Sequence, residues 1–145
     1  MHSDDIPVSL PKYSYNKYDM PVGDIRLYKR YPCFSFRYYH ADSKQYSFQN
    51  LSQKDFCKLI KRLHSMSQKT WGDILVREKE FWHAHDVDWS FTTEKQGFSH
   101  LKNIKIGTAY QFEVFEECRI FGFFNHENVF KIVWVDRHHA IYKSK

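Results

Sequence analysis

Basic, imidazole and phenol side chains lie close together near the carboxyl-terminal end of the sequence. Arg119 begins one apolar stretch, a second stretch carries Lys131, and His138, His139 and Tyr142 follow it. A guanidinium can hold a phosphate through two parallel hydrogen bonds, and an imidazole gives or takes a proton near neutral pH. A phenol can supply a proton or stack on a base. Together these groups could bind a phosphate and transfer protons beside it.

The same chemistry needs a proton acceptor, and Glu113, in the preceding apolar stretch, is the carboxylate that we assign to this role. Lys131 is expected to assist Arg119 at the phosphate if both side chains point to one face. Because adjacent residues of a strand point to opposite faces, only one of His138 and His139 can line the site. Each side chain also has a structural interpretation, as a surface residue, an exposed turn or a ring at the rim of the core.

A second set of basic side chains is distributed along a predicted helix and before the histidine pair. These residues could meet RNA phosphates through contacts that weaken with salt. A run of basic residues on a helix is equally typical of a face exposed to solvent. The set comprises Lys54, Lys58, Lys61, Arg62 and Arg137.

A third pattern has the spacing of metal ligands. His83 and His85 point to one side if the chain is extended, Asp88 adds an oxygen, and His100 is a candidate fourth ligand. Zinc or another divalent ion accepts such a set. Histidine and aspartate are also common where a helix ends, so our main interpretation includes no metal and no cofactor.

The composition is that of a folded domain. The chain has 145 residues, with 22 basic and 17 acidic side chains and a net charge of +5. This length predicts one domain, which we place at residues 31–145 after an arm at residues 1–30. The 19% aromatic content and the few glycines and prolines exclude collagen and low-complexity disorder. No run of about 18 apolar residues is present, which excludes an apolar membrane-spanning helix.

Two features favour a cytoplasmic protein. The amino-terminal sequence lacks a basic start followed by an apolar stretch, so it does not resemble a secretory signal. Cys33, Cys57 and Cys118 are odd in number and far apart, which predicts reduced and mostly buried thiols. The moderate positive charge permits an anionic partner such as RNA without requiring one.

Hydrophobic periodicity predicts strands at both ends of the domain and helices between them. Spacings of three and four predict one helix capped by Ser52 and a second capped by Thr70, the second ending at Trp82. Residues 83–108 show no period and form a long connection. The predicted strands are 34–39, 46–49, 110–115, 119–124 and 129–135. This order predicts an α+β fold, in which a helical hairpin packs on one face of an antiparallel sheet and a strand hairpin precedes it.

The Arg119–Tyr142 segment resembles the end of RelE/ParE-type toxins, with an arginine at a strand start and a histidine-rich turn before a tyrosine. The layout of residues 50–82 is similar to their helical hairpin. The resemblance implies a RelE-like fold and a toxin of a toxin-antitoxin system that cleaves mRNA. It also implies a cognate protein antitoxin as partner, and RNA as substrate, free or on the ribosome. The ParE branch of this fold targets DNA gyrase, and the fold alone does not choose between the two.

Two other functions stay open at this point. The arm interleaves aromatic with basic residues, which suits a non-catalytic module that binds a protein or a nucleic acid. A metal-dependent hydrolase would instead use the pattern from His83 to Asp88. The residues of the arm are Tyr13, Tyr15, Tyr18, Tyr28 and Tyr31 with Lys12, Lys17, Arg26, Lys29 and Arg30.

Overall fold

The computed structural model describes residues 27–104, 106–124 and 128–142, whose regular structure is five strands and several helical segments. The strands are β1 (Cys33–Ser35), β2 (His85–Asp86), β3 (Ala109–Phe115), β4 (Cys118–Phe124) and β5 (Val129–Asp136). The α-helices are α1 (Gln53–Ser67) and α2 (Lys79–Trp82), and a π-helical turn spans Asp73–Arg77. Short 3-10 turns lie at Leu27–Lys29, Phe48–Asn50 and Trp89–Phe91.

The strands form one mixed sheet in the order β1-β5-β4-β3-β2. The three long strands follow one another as an antiparallel meander, and β2 adds to the free edge of β3. The α+β class is confirmed, but the wholly antiparallel sheet is wrong, because β1 runs parallel to β5 with Cys33 opposite Val129. The predicted hairpin of 34–39 and 46–49 is also wrong, since Phe48–Asn50 is a 3-10 turn. Alternation marks an extended segment but does not identify its pairing partner.

A bulge changes the register between β4 and β5. Phe121 lies opposite Trp134, whereas its neighbour Gly122 lies opposite Ile132, so Val133 has no partner on β4. The carbonyl of Val133 instead accepts a hydrogen bond of 3.0 Å from the backbone N–H of His40. The bulge therefore leaves a carbonyl of β5 free to bind the segment of chain that follows β1.

One face of the sheet packs against the helices. Phe112, Ile120 and Phe130 point to this face and are fully buried with Leu63 of α1 and Trp71. Burying large aromatic and aliphatic side chains is the main favourable contribution to folding. The predicted packing of helices on one face is confirmed.

The connection between α2 and β3 covers the other face of the sheet. Phe121, Phe123 and Trp134 point to this face and pack with Phe98 of the connection and with Ile141. The 83–108 segment is therefore a third layer of the fold, and its rings bury the second face. Its lack of periodicity is the reason that the sequence shows it only as a connection.

Both helical segments begin with the predicted reciprocal caps. The Ser52 hydroxyl accepts from the Asp55 N–H at 3.0 Å, and the Asp55 carboxylate accepts from the Ser52 N–H at 3.2 Å. Thr70 and Asp73 make the same pair of bonds at 3.2 Å each. Such caps satisfy backbone donors that the first helical turn leaves free.

The apolar stripe of α1 is only partly buried. Leu59, Leu63 and Met66 face the core, whereas Phe56 and Ile60 are exposed. The spacing predicted one continuous stripe, but the helix lies across the sheet and covers it with only part of that stripe.

The second predicted helix is interrupted. The N–H of Glu78 donates to the carbonyl of Asp73 at 2.6 Å, which is the i+5 bond of a π-helical turn, and α2 restarts at Lys79. The segment still packs antiparallel to α1, since Lys69 pairs with Glu78 while Arg62 lies over Trp82. Propensity and spacing cannot distinguish a π-helical turn from a regular one.

Most of the predicted arm, residues 1–26, lies outside the described residues. Leu27 and Tyr28 are buried, and Leu27 packs in the helix-side core. The expectation of an exposed Tyr28 is therefore wrong, whereas Tyr31 is exposed.

Two histidines stack beneath the third layer. The rings of His40 and His100 lie 3.8 Å apart at 14°, and the Trp134 indole donates to Nδ1 of His40 at 3.0 Å. Nε2 of His100 is buried without a hydrogen-bond partner among the described residues. Burial, and then the charges of His40 and Lys102, lower the pKa of His100 to about 4.

This stack predicts a specific sensitivity to acid. The unfolded chain binds a proton at His100 near pH 6.5, whereas the folded chain binds it only near pH 4. The stabilisation by this group is complete above pH 6.5 and is lost as the pH falls towards 4. Because solvent screens part of the shift, we expect a loss of about 2 kcal/mol in the free energy of unfolding.

Urea denaturation at a series of pH values measures this effect. His100→Phe keeps a ring in the stack and should reduce the slope of the unfolding free energy between pH 6.5 and 4 by the share of this one group. His64→Ala, at an exposed position of α1, is the control and should leave the slope unchanged. If His100→Phe kept the wild-type slope, His100 would not be the group that makes the fold sensitive to acid in this way.

Candidate functional site

Three polar residues form a row across the three long strands. Glu113 of β3 lies opposite Arg119 of β4, and Arg119 lies opposite Asp136 of β5. Residues directly opposite one another share a face of the sheet, and this face also carries Phe121. Since β2 pairs only with Tyr110 and Gln111, the row ends at an uncovered edge of β3.

The Glu113 carboxylate lies at the outer end of this row and is contacted by three basic side chains. One oxygen lies 3.4 Å from Nη2 of Arg119 and also 3.4 Å from Nε2 of His83. The other oxygen lies 3.8 Å from Nη2 of Arg62, whose Nε donates to the Glu113 carbonyl at 3.2 Å. Glu113 keeps 26% of its side chain exposed and His83 keeps 53%, so the cluster is open to solvent on this side.

Arg119 lies behind this opening. Its side chain is only 9% exposed, and Nη1 donates to the carbonyls of Glu116 and Cys118. Its Nε is buried without a hydrogen-bond partner among the described residues. Arg119 thus holds Glu113 from within the sheet and retains one unused donor. Arg119 is therefore buried, whereas the sequence also allowed it to be a surface residue.

His139 lies in the turn after β5, within electrostatic range of Arg119. Burial lowers the pKa of His139 most, and the positive charge of Arg119 lowers it further. His83 acts on this pKa in the same direction. The His139 ring is therefore uncharged at neutral pH, and a neutral imidazole can accept a proton. We define the candidate catalytic cluster, called the catalytic cluster below, as His83, Glu113, Arg119 and His139.

Both histidines of the catalytic cluster have left-handed backbone conformations. His83 has φ 49° where it ends α2, and His139 has φ 55° in the turn after β5. Non-glycine residues adopt this conformation seldom, and such residues are often found at functional sites. The turn that holds His139 is fixed by Asp136, whose carboxylate accepts from the N–H groups of Ala140 and Ile141.

Three residues proposed from the sequence lie away from the catalytic cluster. Lys131 is buried at the opposite end of β5, with its ammonium 6.0 Å from the ring centroid of Tyr38. The Tyr142 hydroxyl accepts a hydrogen bond from the Asp88 N–H. His138 is exposed. Lys131 cannot assist Arg119, because the register places it opposite Phe123.

The basic residues proposed to bind RNA fall into three groups. Lys58 pairs with Glu116 at 2.7 Å, and Arg137 pairs with Asp55 at 3.0 Å, so acidic partners neutralise both. These contacts lower the pKa of the Asp55 and Glu116 carboxyls and raise the pKa of Arg137. Arg62 contacts the catalytic cluster, as described above. Lys54 and Lys61 are exposed.

The three proposed metal ligands do not converge. His83 faces Glu113, the ring of His85 contacts the carbonyl of Asp86, and Asp88 caps the turn at Ser90. Within the ranges that the structure describes, no three His, Cys, Asp or Glu side chains are grouped as metal ligands would be. The proposed metal site is therefore wrong.

The cysteines are all free, as predicted. Cys118 is buried, and burial raises the pKa of its thiol to about 12. Cys33 and Cys57 are exposed, so the expectation of mostly buried thiols is wrong for both. Cys57 lies beside the α1 stripe, on the side that the sheet leaves uncovered.

Sequence reasoning missed the part of His83 in this cluster. We considered His83 only as a metal ligand, because it lies next to His85 in the sequence. The sequence contains one indication of a role for His83, because this residue directly follows the second predicted helix and begins the long connection. The sequence shows no reason for that helix end to lie against Glu113, which is thirty positions further along the chain.

Comparison with known proteins gives one match. A protein-family model matches residues 29–145 and carries the description "Uncharacterised protein UU032". No curated protein and no solved structure is similar to the chain. No helix among the described residues is long and apolar enough to cross a membrane.

Proposed function

The chain belongs to the UU032 family, and because that membership specifies no reaction, we propose from the geometry that the protein is a metal-independent RNA endonuclease. The observation that supports this is the contact of one carboxylate, Glu113, with both His83 and Arg119 at 3.4 Å. His139 lies within electrostatic reach of the same guanidinium. Two imidazoles, a carboxylate and a guanidinium at one solvent-open edge are suited to phosphodiester chemistry.

We assign the proton acceptor to His139 rather than to Glu113. The Glu113 carboxylate already contacts two guanidiniums and His83, so we give it a positioning role, whereas His139 is neutral near pH 7. The His139 ring would take the proton of the RNA 2′-hydroxyl as the 2′-oxygen attacks phosphorus. Glu113 positions the groups around it.

His83 then serves as the proton donor. When its ring is protonated, His83 pairs with Glu113 at 3.4 Å, and it is the most exposed group of the catalytic cluster. As the bond from phosphorus to the 5′-oxygen breaks, His83 would give its proton to that oxygen. The products are a 2′,3′-cyclic phosphate and a 5′-hydroxyl end. The Arg119 guanidinium, next to Glu113, adds a positive charge beside the site that favours the charge developing on the phosphate.

This mechanism predicts cleavage that a chelator does not stop. Purified protein should cut single-stranded RNA in the presence of EDTA, and the products should carry cyclic phosphate ends detectable by mass spectrometry. A DNA strand of the same sequence lacks the attacking hydroxyl and should remain intact. Failure to cut RNA with and without ribosomes, or equal cutting of the DNA, would contradict the proposal.

The wider role that we propose is that of a toxin controlled by a protein antitoxin. This part rests on the resemblance to RelE/ParE-type toxins in the Arg119–Tyr142 segment. Induced expression in bacteria should then stop growth, and co-expression of a small neighbouring gene product should restore it. Inhibition of DNA gyrase with intact RNA would instead indicate the other branch of that group.

A further inference from the structure

A cavity of about 890 Å³ lies between α1 and residues 73–82. Its volume is in the range of sites that take small organic ligands, about 300–1,000 Å³. Arg62 and Lys69 form one wall, and Phe81 and Trp82 form part of the other. None of the functions described above uses this cavity.

The π-helical turn shapes one wall of the cavity. Val76 and Arg77, at the end of that turn, line the space directly. π-Helical turns are rare and often mark functional sites. The irregular turn replaces a regular helix that would continue from Thr70 to Trp82, and the cavity lies along it.

The aromatic groups of the cavity suit a flat ligand. Phe81 is 62% exposed, although it is large and apolar. The Arg62 guanidinium lies 4.2 Å from the ring centroid of Trp82 and 4.9 Å from that of Phe81. An exposed ring beside a stacked guanidinium is an arrangement on which a nucleobase can stack.

The wall of the cavity is mainly basic. Four basic side chains and two acidic ones line it, and Asp73, paired with Arg77, and Glu113, near Arg62, offset part of the positive charge from outside the cavity. Glu78 is already paired with Lys69, and Trp82 donates to its other oxygen at 3.0 Å. The basic residues are Arg62, Lys69, Arg77 and Lys79, and the acidic residues are Glu78 and Glu80.

The cavity adjoins the catalytic cluster. Arg62 contacts Phe81 and Trp82 on one side and Glu113 on the other, and His83 follows Trp82 in the chain. We propose that the cavity binds the nucleotide that flanks the cleaved bond of a single-stranded RNA, with its base stacked on Phe81. This inference takes its ligand class from the proposed endonuclease function.

Binding of a 2′-O-methyl RNA strand tests the inference, because such a strand cannot be cleaved. Stacking on one aromatic side chain is sequence-tolerant and strong, so Phe81→Ala should raise the Kd roughly tenfold in fluorescence anisotropy. Phe81→Leu, which keeps apolar bulk without a ring, should behave similarly, and Phe81→Tyr should bind as wild type. Phe91→Ala is the matched control, because Phe91 is also exposed, at 75%, and does not line the cavity.

The outcomes separate this inference from the proposed activity. If the wild type binds the strand through Phe81 but cuts no RNA, the nucleotide cavity stands and the endonuclease proposal falls. If RNA is cut and bound equally well by Phe81→Ala and by wild type, the cavity assignment is overturned. Binding of adenosine 5′-monophosphate with loss on Phe81→Ala, but no binding of the strand, would also overturn the RNA assignment.

Discussion

Replacement of His139 by asparagine is expected to slow RNA cleavage by about a hundredfold or more, the usual contribution of a positioned acid or base. Asparagine tolerates the left-handed backbone that His139 adopts, so the turn should keep its shape. The amide cannot accept the proton of the 2′-hydroxyl. Single-turnover cleavage of a labelled RNA measures the loss.

His138→Asn is the matched control for that experiment. His138 is adjacent in sequence and exposed, and it lies outside the catalytic cluster. We expect this variant to cleave at the wild-type rate. Equal losses in both variants would indicate a general effect on the turn, and wild-type activity of His139→Asn would remove His139 from the mechanism.

The pH profile distinguishes a proton acceptor from a structural histidine. Burial and Arg119 hold the pKa of His139 below 6.5, so the wild-type rate should rise with pH through a midpoint below that value. The ring can accept a proton only when it is neutral, so the rate should increase as the pH rises through the pKa of His139. His139→Asn should lose this increase, whereas His138→Asn should keep it.

Gly122→Ala is expected to cause the largest loss of stability, about 4 kcal/mol or more, because overpacking against a rigid backbone cannot relax. A Cβ at this position would lie 2.0 Å from the carbonyl oxygen of Lys131 and 2.9 Å from the ring of Phe130. The bulge brings the two strands together at this point, so relief requires the loss of ladder bonds. Urea denaturation followed by circular dichroism measures the change.

Gly97→Ala provides a graded comparison. This glycine has φ +61°, and a Cβ would meet only the Trp89 ring, at 3.0 Å. We expect a loss of about 1–2 kcal/mol, from the left-handed backbone and a small movement of the ring. If Gly122→Ala were no more destabilising than Gly97→Ala, the close approach of β4 and β5 would not be the constraint that we describe.

The catalytic cluster was partly visible in the sequence. Glu113, Arg119 and His139 were all selected by chemical type, and the alternation of β3 and β4 placed Glu113 and Arg119 near strand ends. The separation of Lys131 from Arg119 follows from antiparallel pairing, because Arg119 begins β4 whereas Lys131 lies near the start of β5, opposite Phe123. His83 could not be assigned, since its approach to Glu113 depends on where α2 ends in space.

The sequence by itself determined the local features, which depend on neighbours along the chain. These features are the two helix caps, the three strands of the meander and the α+β class. Only the tertiary structure decided the parallel pairing of β1, the π-helical turn beside the cavity, and the meeting of His83 with Glu113. Those features arise from contacts between distant segments, whose free energies depend on packing geometry that residue types and spacing do not encode.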